Sequence, residues 1–295
     1  MLTEIVAVTL AVPDLATAEA AYVEALGYRV VDRGAVPAAL GAAWGAPRAS
    51  GRRQALLQPA SGARTYLRLV ESPPVSGFEA MKTHGWNSNE ILVQDPDALA
   101  ARFRSSPFRV VGEPRPLSTN PHVRAMQAMG PAGELNYFTR IPASGSVFIK
   151  TQAASFVDRT FIVVLGGPSM AAMQAFYRDT LGAPVTEAVA AKINVLQDAW
   201  GLPASLETPL ALVNFSTGFA IELDEYPSLA RPRPRHEGDL PPGMALVSFA
   251  VRSLDARTLP WAVPPTARAE APYDGRRAGV LVGAAGEWIE LVETP

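Results

Sequence analysis

The chain has 295 residues, 48% of them hydrophobic, enough for a sizeable core and suggestive of two domains of about 150 residues each. Its 26 basic and 28 acidic side chains are mixed along the sequence and give a net charge of -2, so no surface is marked for nucleic acid. With no cysteine, disulfides, thiolate nucleophiles and cysteine-held metals are excluded and a cytoplasmic setting is expected; the stretch Met1 to Val12 carries Glu4 rather than a basic cluster, and no long apolar run escapes Gly or Pro, so neither a secretory signal nor a membrane span is expected.

The first element is a β-branched run from Ile5 to Val12, read as a strand. Pro13-Asp14 then opens a helix. Asp14 suits the N-cap, Leu15, Ala18, Tyr22 and Leu26 follow at helical spacing, and Gly27 suits the C-terminal stop. Strand-like stretches follow at Arg29 to Arg33, Gln54 to Gln58 and Arg64 to Val70. The same order, one strand, one helix and three strands, can be traced again from Asn89, from Phe161 and from Met244. In the fourth copy, Ser253 to Trp261 leaves room only for a short helix before Pro260. Pro142 to Ala154 reads as a crossover between halves, and the proline-interrupted basic stretch Arg231 to Arg235 as a solvated loop.

The copies also resemble one another in sequence at an offset near 155 residues. Ala21-Tyr22 with Leu26-Gly27 parallels Phe176-Tyr177 with Leu181-Gly182. Ala43-Trp44-Gly45-Ala46-Pro47 parallels Ala199-Trp200-Gly201-Leu202-Pro203, and the turn Gly130-Pro131-Ala132-Gly133-Glu134 parallels Gly283-Ala284-Ala285-Gly286-Glu287. The expected organisation is an N-terminal half at 1–143, with modules at about 1–75 and 84–141, and a C-terminal half at 155–295, with modules at about 158–228 and 243–295.

Val12-Pro13-Asp14-Leu15, the helix motif Ala175-Phe176-Tyr177-Arg178-Asp179-Thr180-Leu181-Gly182 and the closing strand Gly286-Glu287-Trp288-Ile289-Glu290-Leu291-Val292 carry a resemblance to the vicinal oxygen chelate superfamily. That group includes glyoxalase I, extradiol dioxygenases and bleomycin-resistance proteins. The resemblance covers essentially the whole chain. It implies an α+β fold of four βαβββ modules, paired into two cupped mixed sheets. It also implies that a first-strand histidine and a last-strand glutamate of each module point into the cup around a metal ion.

Here the histidine positions hold Ala7, Ser88, Ile162 and Leu246, and the glutamate positions hold Arg68, Tyr137, Glu222 and Glu290. Alternation along strands puts Ala7, Thr9 and Ala11, then Ser88, Glu90 and Leu92, on the cup faces. Imidazole and carboxylate sites need ligands that Ile162 and Leu246 cannot supply, so no metal ligand and no cofactor is expected. Of the histidines His84, His122 and His236, only His122 falls where it could edge a cup.

Two glutamates in an apolar cup repel each other, which raises one pKa and sets a proton donor beside an acceptor. Glu290, Glu222 and Tyr137 are therefore the candidate catalytic groups, for a metal-independent isomerase or lyase acting on a mid-sized apolar or aromatic molecule. Arg68, Glu90, Ser88, Trp44, Trp200 and His122 are the candidate substrate-binding residues, although Trp44 and Trp200, each before Gly-x-Pro, also suit core plugs, and Arg68 also suits an ion pair with Glu90. The alternatives are a ligand-binding protein without turnover, and an atypical metalloenzyme with displaced ligands. The expected partner is a small molecule, with no nucleic acid or membrane and with the chain a monomer or a homodimer. Two module pairings remain open: within each half, or 1 with 4 and 2 with 3. The second would set Arg68 facing Glu290 and Tyr137 facing Glu222.

Overall fold

The computed structural model describes residues 2–117, 120–142, 151–215 and 218–294. The first module comprises β1 (Leu2–Val12), α1 (Leu15–Leu26), β2 (Arg29–Ala35), α2 (Ala38–Ala43), β3 (Arg53–Gln58) and β4 (Tyr66–Glu71). The second has β5 (Gly85–Val93), α3 (Pro96–Phe103), β6 (Arg109–Pro116), β7 (Arg124–Met129) and β8 (Leu135–Arg140). The third has β9 (Val157–Gly167), α4 (Met170–Ala175), β10 (Val189–Ala191), α5 (Asn194–Trp200), β11 (Thr208–Asn214) and β12 (Ala220–Glu225). The fourth has β13 (Gly243–Val251), β14 (Val263–Ala267), β15 (Arg277–Val282) and β16 (Trp288–Glu293).

Local chemistry sets the helix limits. Asp14 accepts hydrogen bonds from the amides of Ala16 and Thr17, and Gly27 closes α1 in the left-handed region at φ 73°. Asp95 caps α3 in the same way. The third-module helix departs from the expected regular one: α4 ends at Ala175, and Phe176–Thr180 continues as a π-helical turn. The fourth module has no helix among its described residues; Ser253 to Trp261 runs through bends instead, because Pro260 arrives before a stable turn count is reached.

The strands form two eight-stranded mixed sheets. The first runs β14-β15-β16-β13-β1-β4-β3-β2 and joins module 1 to module 4; the second runs β10-β11-β12-β9-β5-β8-β7-β6 and joins module 2 to module 3. The seams are the antiparallel pairs β1–β13 and β5–β9. Pairing within each half, the other arrangement open to the sequence, is not the one adopted. The expected crossover at Pro142 to Ala154 falls mostly at 143–150, outside the described residues.

Helices α1, α3 and α4 and one face of each sheet share a continuous apolar core that includes Val8, Leu10, Leu69, Phe138, Val163, Leu223 and Phe249. Bulges between Glu90 and Val93 break the alternation there, and Leu92 packs into this core rather than the cup. The two sheets are stitched by Trp86, whose Nε1 donates to the carbonyl of Trp288 at 2.7 Å. Arg233 also stitches them, donating to the carbonyls of His84, Trp86, Pro242 and Met244. Arg233 is therefore a half-buried clamp within what the sequence presents as a solvated loop. Burial without an anion pushes its guanidinium down to about 10.

The repeated Gly-x-x-Gly-Glu turns have one structural cause. Glu134 accepts from the amide of Ala132 and from the hydroxyl of Tyr22 at 2.8 Å. Glu287 accepts from the amide of Ala285 and from the hydroxyl of Tyr177 at 3.1 Å. A Cβ on Gly130 would lie 1.8 Å from Glu134 Oε1, and one on Gly283 would lie 1.9 Å from Glu287 Oε1, so only glycine leaves room for the carboxyl. The matched tyrosine and glutamate of the repeats are thus a buried fastener between modules.

Candidate functional site

The two cups differ. In the first, Thr9 on β1 stands beside Arg68 on β4, and Ser248 on β13 beside Glu290 on β16, as alternation places them. Glu290 is fully buried and accepts from Arg268, from the Ser248 hydroxyl and from the Tyr273 hydroxyl at 2.9 Å. Trp44 Nε1 donates to the same tyrosine oxygen at 3.1 Å. Burial next to Glu290 pushes the Tyr273 phenol up to about 12. Arg68 lies 5.2 Å from the Trp44 ring and 5.6 Å from the Tyr273 ring and donates to Gln54 and to the Ala271 carbonyl. Every one of these side chains is buried, and α2 with Trp44, Leu40 and Val36 closes the top. The cup is filled by its own protein.

The second cup is open. A cavity of about 420 Å³ is walled by Phe161, Ile162, Leu210, Leu212 and Ala220, with Glu90, Thr139, Asn214 and Glu222 among its polar lining. Leu117, Asn120, Val123 and residues 186–191 form its rim. Glu90 on β5 pairs in register with Tyr137 on β8 and with Ile162 on β9, while Glu222 on β12 lies beside Val164. Thr139 donates to Glu90 at 2.6 Å. Asp224, two residues beyond Glu222, shares its face and is 1% exposed.

Burial dominates the electrostatics. It pushes the Glu90 carboxyl up to about 7 and that of Asp224 up to about 8. Burial, then the neighbouring Asp224 and Glu90, hold Glu222 well above the usual carboxylate range. The Tyr137 phenol is raised too, by burial first and then by Glu222.

The sequence-derived candidates are thus divided between sites. Glu222, Tyr137, Glu90 and Ser88 come together in the second cup. Glu290, Arg68 and Trp44 come together in the first. Glu222 and Glu290 do not share a cup, and the Arg68–Glu90 ion pair is not formed, because the two residues belong to different sheets. Trp200 is half-buried on α5 and donates to the Met81 carbonyl at 2.9 Å, fastening that helix rather than lining the cavity. His122 is exposed at the rim, between the lining residues Asn120 and Val123. Arg268, Tyr273, Thr139 and Asp224 were not legible as site residues. Asp224 had a signal, since strand alternation carries it onto the Glu222 face. Arg268 and Tyr273 lie in the fourth module's irregular loops and had none.

No protein-family model matches the chain, and no curated protein matches it in sequence. Solved structures do match in shape. Glyoxalase I from Zea mays superposes over 98% of this chain and 92% of its own, with a TM-score of 0.62 at 14% identity. A candidate dioxygenase from Bacillus subtilis superposes over 100% of this chain and 86% of its own, with a TM-score of 0.63 at 10% identity. The fold is the one these two structures share. At such identities the likeness carries the fold and not the chemistry.

The residues present do not fit the metal ion that the vicinal oxygen chelate resemblance implies. The ligand positions of the first cup hold Ala7, Leu246, Arg68 and Glu290, the last already paired with Arg268. Those of the second hold Ser88, Ile162, Tyr137 and Glu222, which offer one carboxylate and no imidazole. Among the described residues no three of His, Cys, Asp or Glu converge as a metal site. Among them, too, no helix is long and apolar enough to cross a membrane.

Proposed function

We propose that this vicinal-oxygen-chelate protein binds a mid-sized, largely apolar small molecule in the cup of its second sheet and moves protons on it without a metal, as an isomerase or lyase. The observation that carries this reading is the pair of carboxyls, Glu90 and Glu222, on an apolar cavity wall, both pushed above the usual carboxylate range. With a pKa of about 7, Glu90 is divided between its two forms near neutrality and serves as proton acceptor. Glu222, which burial and the neighbouring Asp224 and Glu90 also push well above the usual carboxylate range, serves as donor. Tyr137, beside both, donates a hydrogen bond to an oxygen that gains charge. The first cup takes no part, because Glu290 is neutralised by Arg268 within a packed interior.

A second reading, binding without turnover, has one observation in its favour. No described residue donates a hydrogen bond to the carboxyl of Glu222 or Asp224, whereas catalytic acids are ordinarily held in one orientation by their neighbours. One experiment separates the two. Molecules that displace Nile red from the protein are followed by NMR in D₂O. Catalysis gives deuterium incorporation or bond rearrangement that falls by about 10²–10⁴-fold in Glu222→Gln while affinity changes little. Ligands that bind and stay unchanged in the wild type overturn the catalytic reading and leave the binding one.

A further inference from the structure

The floor of the second cup gathers carboxyls and buried polar atoms that have no partner among the described residues. Of its three carboxyls, Glu90 receives one side-chain hydrogen bond, from Thr139, and Glu222 and Asp224 receive none among the described residues. Asp224 Oδ1 is buried without a partner. Gln127 Oε1, beside Tyr137 in register, is a further buried acceptor without one. The Ser88 hydroxyl, on the same face and beside Val164, is also unpartnered. Buried polar atoms are rarely left so, and one orphan can be a matter of rotamer. Several unpartnered polar atoms on one face, beside a cavity, mark a site that awaits polar partners from outside the chain.

The charges point the same way. Glu90, Glu187 and Glu222 line the cavity, and among the described residues its lining contains no Lys, Arg or His. The half-buried Arg233 spends its guanidinium on four main-chain carbonyls. Arg159 lies over the ring of Phe219. Tyr137 and Tyr226 are the remaining titratable groups against Glu222 and Asp224, and both are neutral phenols. An anionic ligand would meet only repulsion here.

We propose that the occupant is a lipophilic cation, an apolar body lying along Ile162, Leu210 and Leu212 with an amine whose N–H groups reach the carboxyls of Glu222, Asp224 and Glu90. The inference rests on the second cup being the binding site, and not on turnover. An ammonium brings up to three donors and one positive charge to a lining whose charged groups are carboxyls, in surroundings of low dielectric. Because the carboxyls hold protons near neutrality when no cation is present, cation binding expels protons.

The test uses three matched probes, 1-naphthylmethylamine, 1-naphthalenemethanol and 1-naphthylacetate, titrated calorimetrically into the full chain at pH 8 in two buffers of different ionisation enthalpy. The amine is expected to bind at least about tenfold tighter than the alcohol and to release protons, with no binding of the acetate. Glu222→Gln and Asp224→Asn, each close in shape to the protonated carboxyl it replaces, should bring the amine to the level of the alcohol and leave the alcohol unchanged. Alcohol or acetate binding as tight as the amine's overturns the charge inference and leaves the cup standing. If no probe binds, or if Leu212→Trp, which fills the cavity, binds the amine as well as the wild type does, the cup itself is overturned and the inference falls with it.

Discussion

Arg268 and Glu290, the latter on the last strand of the first cup, form an ion pair sealed from solvent. The guanidinium also donates to the carbonyls of Ala43 and Ala278, so it belongs to the lid helix and the sheet edge as much as to the carboxylate. Removing one partner leaves a buried charge. Arg268→Ala should cost about 3–5 kcal/mol in urea unfolding, whereas Arg268→Met with Glu290→Leu should lie much nearer the wild type. A double substitution as damaging as the single one would show that the pair holds the fold through its carbonyl contacts instead.

The Tyr22–Glu134 and Tyr177–Glu287 fasteners are far apart and chemically matched. Tyr22→Phe and Tyr177→Phe each remove one hydrogen bond from a buried carboxyl, at an expected cost of about 1–3 kcal/mol. The double variant should show the sum within about 0.5 kcal/mol. Equilibrium unfolding checks both statements, and a large shortfall from additivity would mean that the two halves fold as one coupled unit.

The pH dependence of stability follows from the raised carboxyls. Burial holds Glu90, Glu134 and Glu287 at about 7 and Asp224 at about 8, with Glu222 also raised. Above their ordinary range near 4, the unfolded chain has lost these protons and the folded chain retains them. The folded state therefore binds more protons, and stability falls as pH rises from about 5 to about 8, flattening above that. Each group contributes on the order of 1 kcal/mol per pH unit inside this window. The carboxylates held low, Asp14, Glu71, Asp97 and Asp255, act in the opposite sense but only under more acid conditions. Melting temperature should decline steadily from pH 5 to pH 8, and Asp224→Asn should reduce the slope. A flat profile would show that these carboxyls ionise freely in the folded protein.

The repeats made the four modules and their strand order readable, because Tyr22, Gly27 and the Gly-x-x-Gly-Glu turns recur for local reasons of capping and close packing. The alternation of Ala7, Thr9 and Ala11 and of Ser88 and Glu90 onto cup faces was readable for the same reason. Module pairing was not. Both pairings bury equivalent strands, and the choice rests on seam pairs such as Ala7 with Ser248 and Glu90 with Ile162, which join residues of different halves. The closed first cup was equally hidden, since Arg268 and Tyr273 reach Glu290 from loops without repeat counterparts. Arg233 misled because a half-buried cation held by carbonyls looks, in sequence, like any other arginine between prolines.

If one cup is filled and the other open, the two should answer oppositely to added volume. Ala7 stands on the cup face of β1 beside Ser248, in a packed interior. Ala7→Leu has no space to enter and should cost about 1–3 kcal/mol through displaced neighbours. Leu212 borders the cavity of about 420 Å³, so Leu212→Trp should find room, leave the unfolding midpoint nearly unchanged and abolish Nile red binding. The reverse pattern, a tolerated Ala7→Leu and a disruptive Leu212→Trp, would move the ligand site to the first sheet. Dye binding that survives both substitutions would place the apolar probe outside either cup.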